Sequence, residues 1–261
     1  MLISISTRHL FCFAILVASL IPAGAQQETI DPALRAKASA GDAQSEFLLG
    51  QAYALGKGAQ QDYAQAALWL RRAADQGVAK AQLSLGLLYD HGEGVPQDEA
   101  QAAGWYRKAA LQGNAEAQYN LGTFYERGIA VPQDYSQAAD LYRRSAIQGN
   151  ASAQFNLALF YDNGQGMARD FAQAAAWYRK AAEQGLPRAQ FNLGSMYANG
   201  QGVLVNLPEA YFWLDLSAST WSGARQQQAI QARDTVAAHL SPSDLNAAQE
   251  RAAKWLAAHQ K

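Results

Sequence analysis

Cysteine and histidine are almost missing from this 261-residue chain. Its one cysteine is Cys12, and its four histidines are His9, His91, His239 and His259. Histidines this far apart predict neither a metal cluster nor a histidine-based catalytic triad. No acid pair or nucleophile recurs beside a base, so we expect no enzymatic activity, no metal and no other cofactor. A cryptic hydrolase of cell-wall or glycan material is the weaker alternative.

The chain also lacks an excess of either charge. It carries 21 Lys and Arg against 22 Asp and Glu, for a formal net charge of −1. Such a balance provides no electrostatic footprint for nucleic acid, and we therefore expect no nucleic-acid partner. The hydrophobic fraction is 49% and is spread evenly along the chain, which fits a folded helical protein rather than a disordered one.

Long apolar runs are absent except near the amino terminus. A basic start precedes the apolar run Leu10–Ile21, which ends at Pro22 and is followed by the small residues Ala23, Gly24 and Ala25. This arrangement predicts a secretory signal peptide over residues 1–25 and therefore an exported protein, periplasmic or secreted. The alternative is an uncleaved membrane anchor, which needs about 20 apolar residues. After cleavage we expect no membrane span and no disulfide.

What the chain has in abundance is repetition. Copies of one pattern open at Gly41, Gly77, Gly113, Gly149 and Gly185, so the period is 36 residues without an insertion. A fixed period in this range is typical of stacked supersecondary units rather than of one globular core. The sequence predicts five repeats, over residues 41–76, 77–112, 113–148, 149–184 and 185–220.

Each copy predicts two amphipathic helices. In the third copy, Ala117, Leu121 and Tyr125 share one face of the first helix, and equivalent stripes recur in the other copies. Gly122 lies in the middle of that helix, where glycine costs about 0.5–1 kcal/mol relative to alanine. We expect this cost to be offset by the close approach of a neighbouring helix.

The second helix of each copy has a recognisable start. In the third copy, Asp134 precedes Gln137 by three residues, a spacing close to that of a capping box. The same spacing is found after Asp62, Asp98, Asp170 and Asn206. We therefore expect the second helices to begin at these residues, directly after a turn.

The pattern resembles the Sel-1-like repeat family, a relative of the tetratricopeptide repeats. Residues 81–110 and 153–182 carry almost all of the signature A-x-x-x-L-G-x-x-Y-x-x-G-x-G followed by D-x-x-x-A-A-x-W-Y-x-x-A-A. The departures are Ala130, Leu141, Ala158 and Tyr211. The resemblance implies an all-α fold, a right-handed superhelical solenoid of helix-turn-helix repeats. It also implies a scaffold or adaptor for other proteins in secretion, envelope assembly or signalling.

Both ends of the array predict capping segments. Asp31 and Pro32 open a helix within residues 26–40, which aligns with the second half of a repeat and is expected to cover the first complete unit. Beyond Trp221 the repeat is lost, and we expect residues 221–261 to form a C-terminal helical cap of two helices. The last helix should begin at Ser241, with Gln226 and Arg251 in solvent.

One face of the first helices is the candidate binding surface. With Leu121 at the centre of the buried face, several side chains fall on the opposite side. The resemblance implies that this face lines a concave groove. The candidate partner-binding residues are Phe47, Leu83, Leu87, Tyr119, Thr123, Glu126, Arg127, Phe155, Leu159 and Phe191. The alternative is that the apolar row formed by Phe47, Leu83, Tyr119, Phe155 and Phe191 packs between units instead of facing a partner.

These observations predict an exported scaffold that binds a protein partner. A groove with apolar residues and mixed charges suits an extended or helical protein segment better than a small molecule. An inhibitor or regulator of a periplasmic enzyme or sensor is the alternative within the same class. We expect the protein to be a monomer.

Overall fold

The computed structural model describes residues 29–259, so the predicted signal peptide lies outside the described residues. Within that range the chain forms thirteen α-helices and no strand, which confirms the all-α prediction. The helices are α1 (Pro32–Ser39), α2 (Ala43–Leu55), α3 (Tyr63–Asp75), α4 (Ala79–His91), α5 (Glu99–Leu111), α6 (Ala115–Arg127), α7 (Tyr135–Ile147), α8 (Ala151–Asn163), α9 (Phe171–Glu183), α10 (Pro187–Asn199), α11 (Leu207–Thr220), α12 (Gly223–Ala237) and α13 (Pro242–His259).

The helices alternate in a right-handed solenoid. The first helices of the five units are α2, α4, α6, α8 and α10, and the second helices are α3, α5, α7, α9 and α11. Each first helix packs against its own second helix, and each second helix packs against the first helix of the next unit. Because contacts join only neighbours, the hydrophobic core runs along the array as a series of clusters rather than around one centre.

The second helices begin at the predicted caps. The Asp134 carboxylate accepts hydrogen bonds from the backbone amides of Ser136 and Gln137, at 2.9 and 3.0 Å. The bonds from Gln137 hold the pKa of Asp134 below its ordinary value, because they favour the charged carboxylate. Asp62, Asp98, Asp170 and Asn206 accept the same bond from the residue three positions later. The sequence therefore placed the starts of all five second helices correctly.

The glycine inside four of the five first helices marks a close contact, as predicted, while α8 has Ala158 at this position. A Cβ atom on Gly122 would lie 2.8 Å from the ring of Tyr142 in the second helix of the same unit, closer than real Cβ contacts. Gly50, Gly86 and Gly194 face Leu70, Tyr106 and Leu214 in the same way. The glycine thus lets the large side chain of the second helix reach the first helix directly.

The glycines of the turns have a structural role as well. Gly94 has a φ of +69°, and a Cβ there would lie 2.2 Å from the backbone carbonyl group of Tyr63 in the preceding unit. Glycine adopts such a left-handed conformation without strain and leaves room for the other backbone. Ala130 occupies the equivalent position of the third unit with a φ of 53°, within the left-handed region.

Buried glutamines connect successive units. Nε2 of Gln118 donates to the carbonyl oxygen of Ala110 in the preceding second helix at 3.2 Å, and its Oε1 accepts from Gln148 at 2.8 Å. Gln82 and Gln154 repeat both bonds. These side chains satisfy carbonyl groups at the ends of the second helices, where intrahelical partners are lacking. Buried polar groups paired in this way fix how one unit sits on the next.

The C-terminal region keeps the register longer than predicted. Although the repeat sequence is lost beyond Trp221, α12 packs against α11 in the place of a sixth first helix. Gln226 lies 36 residues after Gln190, is partly buried rather than solvated, and donates to the carbonyl oxygen of Ala218 at 3.2 Å. Arg233 then pairs with Asp215 at 3.0 Å across the same junction.

Helix α13 does not continue the array. It packs against α11, with Ala248 and Ala252 buried in the cluster that contains Trp213 and Leu216. Arg251 pairs with Glu209 and lies 3.8 Å from the ring centroid of Phe212, and it remains exposed to solvent as predicted. The packing of this region could not be predicted from the repeat pattern, because α13 has no counterpart in the repeat.

Candidate functional site

The predicted apolar row of the groove is mostly buried. Phe47, Leu83 and Phe155 are only 6–8% exposed. Tyr119 and Phe191 are partly buried, with their ring centroids 5.9 Å from Tyr142 and 5.6 Å from Trp221. The expectation that this row faces solvent is therefore wrong for its buried members. The alternative interpretation, packing within the array, describes them better, because each ring lies against the second helix of its own unit.

The other predicted residues of the groove remain accessible. Leu87, Thr123 and Leu159 are partly exposed at equivalent positions of three successive first helices. Glu126 is also partly exposed, and Arg127 is exposed at the end of α6. The accessible part of the predicted surface is therefore narrower than expected and consists of apolar and polar side chains beside a buried row.

Three buried tyrosines reach the groove from beneath. Tyr142 belongs to α7 and is fully buried, and its hydroxyl group donates a hydrogen bond to the Glu126 carboxylate. Tyr106 donates to Asp90 at 3.0 Å, and Tyr178 donates to Asp162 at 3.3 Å. Burial raises the pKa of all three phenols, and the neighbouring carboxylate raises it further. The hydroxyls are therefore neutral donors that hold the carboxylates in place.

Asparagines of the following units complete these contacts. The side chain of Asn156 lies near the Tyr142 hydroxyl and partly offsets the rise in the pKa of that phenol, and Asn192 has the same effect on the pKa of Tyr178. Asn120, Asn156 and Asn192 are spaced 36 residues apart and are all partly exposed. A carboxamide has two donor hydrogens and an acceptor oxygen, so each asparagine that contacts a tyrosine keeps further hydrogen-bonding capacity.

The arrangement is confined to the middle of the array. In the first unit Leu70 takes the place of the tyrosine, and Ala54 takes the place of the acid. In the fifth unit the same two positions are Leu214 and Ala198. The tyrosine and the acid are present together or absent together because a buried hydroxyl needs a partner. We call the three central sets of tyrosine, carboxylate and asparagine the polar ladder.

The carboxylates of the polar ladder carry uncompensated charge. Within residues 29–259, neither Asp90, Glu126 nor Asp162 forms an ion pair. Two arginines lie on the same face: Arg127 is exposed directly after Glu126 in α6, and the guanidinium of Arg188 lies 4.4 Å from the ring centroid of Phe155. The centre of the groove therefore presents three carboxylates in successive units.

Sequence reasoning missed the tyrosines and asparagines of the polar ladder. It took the tyrosines as part of the apolar set of the second helices and treated Asp90 and Asp162 only as mixed charge. The signal was the joint replacement of tyrosine and acid by leucine and alanine in the first and fifth copies. Interpreting this joint replacement required knowing that the tyrosine and the acid, which are 16 positions apart, are in contact.

Neither a metal site nor a membrane helix is found in the part of the chain that the structure describes. No group of three or more histidine, cysteine, aspartate or glutamate side chains there could hold a metal ion. Among the helices α1 to α13, none has both the length and the apolar character needed to cross a bilayer.

Comparison with known proteins agrees with the geometry. The family model described as Sel1 repeat matches residues 43–78, 79–114, 115–150, 151–186 and 187–219. These repeats begin two residues after the predicted starts. Sel1 repeat proteins generally mediate protein–protein interactions. A search of curated proteins found no significant match.

Solved structures share both fold and sequence. A Sel1 repeat protein from Oxalobacter formigenes is 34% identical, with a TM-score of 0.67 over 74% of this chain and 75% of that one. The protein c5321, described as a protective antigen present in uropathogenic Escherichia coli strains and displaying an SLR fold, is 28% identical. Its TM-score is 0.59, and the match covers 85% of this chain and 55% of that one. With five matched repeats and these structural relatives, the chain belongs to the Sel1 repeat family.

Proposed function

We propose that this protein is an exported scaffold that binds a segment of a protein partner along the groove. The observation that carries the proposal is the row of partly exposed side chains on successive first helices, Leu87, Thr123, Leu159 and Ser195. A surface that repeats at the same position of four units suits an elongated ligand, since a chain can contact one unit after another.

Export is part of the proposal and is supported by the amino-terminal sequence. The apolar run ahead of Ala23, Gly24 and Ala25 has the length and the small-residue ending of a secretory signal. The only cysteine lies within that run, so the mature protein requires no disulfide in an oxidising compartment. The repeat array is therefore compatible with export to the periplasm or the cell exterior, because its stability does not depend on a disulfide.

The experiment is site-specific crosslinking in the native cell. A photo-crosslinking amino acid is placed at Thr123, in the groove, and separately at Ala176, which is exposed on α9 away from the groove. We expect one defined protein to be captured from position 123 and not from position 176. That protein is then purified and its binding to this chain is measured.

A variant of the groove tests whether the captured protein binds at this surface. Leu87→Asp changes a partly exposed side chain of the groove, and Leu68→Asp makes the same chemical change at a residue that is 46% exposed on α3. We expect Leu87→Asp to weaken binding of the purified partner at least tenfold and Leu68→Asp to leave it unchanged. Equal binding by both variants, or equal capture from positions 123 and 176, would contradict the proposed binding surface.

A further inference from the structure

The polar ladder adds hydrogen-bonded, oriented carboxylates to the groove of apolar residues and mixed charges that the sequence predicted. Its carboxylates lie on three successive units at Asp90, Glu126 and Asp162, and each is fixed by a buried tyrosine hydroxyl. A carboxylate has room for about four hydrogen bonds, so one bond from tyrosine leaves most of its acceptor capacity free. The carboxylates are therefore oriented and remain able to accept from a ligand.

The asparagines add a second kind of contact. Asn120, Asn156 and Asn192 are partly exposed at equivalent positions of α6, α8 and α10, and the first two share their helices with Glu126 and Asp162. A side-chain amide has the donor and acceptor groups needed to pair with the N–H and C=O groups of a peptide backbone. This feature is independent of charge and favours an extended chain, whose backbone groups are not already used in a helix.

Spacing along the array limits which residues of a ligand can meet the carboxylates. Side chains of successive first helices touch, as in the contact between Arg188 of α10 and Phe155 of α8. Packed helices are about 8–10 Å apart, and an extended chain advances about 3.3 Å per residue. One unit of the array therefore corresponds to about three residues of an extended ligand.

From these features we infer that the groove binds an extended protein segment that carries lysine or arginine at every third residue. The basic side chains meet Asp90, Glu126 and Asp162, while the asparagines bind the backbone between them. Charge complementarity selects a basic segment, since the three carboxylates form no ion pair within the described residues. This inference rests on the proposed function, because it names the chemistry of the partner of that groove.

The limits of the ladder set the length of the segment. Ala54 and Ala198 replace the acid in the first and fifth units, and Leu48 is 41% exposed where the central units have asparagine or serine. The expected ligand therefore has three basic residues within seven positions. An apolar residue about three positions beyond the basic residue that meets Asp90 would reach Leu48.

The test uses synthetic peptides as probes and measures fluorescence anisotropy with the purified protein. The first peptide has lysines at positions 1, 4 and 7, separated by serine and threonine. The second has the same composition with three adjacent lysines, and the third has glutamate in place of each lysine. We expect the first peptide to bind at least tenfold more tightly than either of the others, and its affinity to fall as the salt concentration rises.

Two matched triple variants separate the ladder from overall charge. The combination of Asp90→Asn, Glu126→Gln and Asp162→Asn removes the ladder charges but keeps acceptors for the tyrosines. The combination of Asp75→Asn, Glu183→Gln and Glu250→Gln removes three exposed charges on α3, α9 and α13. We expect the first variant to lose at least tenfold in affinity for the spaced-lysine peptide and the second to lose less than twofold. Circular dichroism should show both variants folded.

The outcomes distinguish this inference from the proposed function. No binding of the spaced-lysine peptide, equal binding of the glutamate peptide, or equal losses in the two triple variants would overturn the inference. If crosslinking from position 123 nevertheless captures a partner whose bound segment lacks basic residues, the scaffold function stands and only the chemistry of the ligand is wrong. If neither crosslinking nor the peptides show binding in the groove, both proposals fail.

Discussion

At the scale of single residues, this protein depends on a few positions where one atom more or less decides the packing. Gly122 has no side chain because the ring of Tyr142 occupies the space where one would be. Tyr142 in turn places its hydroxyl beside Glu126 at the groove. The glycine at position 122 therefore leaves room for the tyrosine of the next helix, whereas in the fourth unit Ala158 takes this place and Tyr178 still reaches Asp162.

Replacing Gly122 tests this packing. We expect Gly122→Leu to lower the free energy of unfolding by about 1–3 kcal/mol, because overpacking forces side chains or backbone to shift. Thr123→Leu, at the partly exposed neighbouring position, should change it by less than about 0.5 kcal/mol. Urea denaturation of the two variants measures the difference. Equal stabilities would show that the ring of Tyr142 can move aside without cost.

The buried phenol of Tyr142 predicts a dependence on alkaline pH. Its pKa is raised in the folded protein by burial and by Glu126, whereas in the unfolded chain the phenol ionises near pH 10. Because the folded state retains the proton, the stabilisation is complete below about pH 10 and is lost as the pH rises above it.

The variant Tyr142→Phe has no proton to lose at this position. We expect it to be less stable than the natural protein at pH 8, since the bond to Glu126 is missing. Between pH 10 and 11.5 its stability should fall less steeply, by up to about 1.4 kcal/mol per pH unit. Urea midpoints at pH 8, 10 and 11 measure both effects. Parallel curves for the two proteins would mean that Tyr142 ionises in the folded state as easily as in the unfolded one.

At the scale of helices, each first helix has one face that packs within the array and one face that stays partly exposed. The division runs between neighbouring positions of α8, where Phe155 is buried and Leu159 is partly exposed. Helical spacing alone places both on the side opposite Leu157. The second helix of the same unit covers one of them and leaves the other open.

The buried row should therefore be structural. We expect Phe155→Ala to lower the free energy of unfolding by about 3 kcal/mol, because truncating a buried phenylalanine leaves a cavity. The ring also supports Arg188 and lies 5.6 Å from Tyr178. The matched variant Leu159→Ala should cost clearly less, since its side chain is already partly in solvent. Thermal melting distinguishes the two, and a stable Phe155→Ala variant would return this row to the list of candidate partner contacts.

At the scale of the whole molecule, stability is distributed along a line. Each unit contacts only its neighbours, so the ends of the array have one stabilising interface and the central units have two. The C-terminal end is covered by α13, which buries Ala248 and Ala252 against α11. The polar ladder lies in units two to four, and each of these units packs against a neighbouring unit on both sides.

Removing α13 tests this nearest-neighbour behaviour. We expect the chain truncated after residue 241 to remain helical but to unfold at a lower temperature, because Trp213 and Leu216 lose part of their cover. Hydrogen exchange should become faster in α11 and α12 and remain unchanged in α4 to α7. A uniform loss of protection along the whole chain would show that the solenoid unfolds as a single cooperative unit.

The sequence by itself determined the period, the two helices of each unit, the caps of the second helices and the tight contact at Gly122. These features depend on the spacing of residues within one 36-residue copy. The pattern is recognisable because it recurs in five copies. The sequence also placed Leu87, Thr123 and Leu159 on one face, because helical geometry fixes which residues share a side.

Only the tertiary structure decided which side chains on that face are free. Burial of Phe47, Leu83 and Phe155 depends on where the second helix lies, and helical spacing carries no information about that distance. The pairing of Tyr106, Tyr142 and Tyr178 with acids 16 residues earlier likewise arises from the antiparallel packing of two helices. The packing of α13 against α11 could not be predicted from the repeat, because this contact occurs once and has no equivalent in the other units.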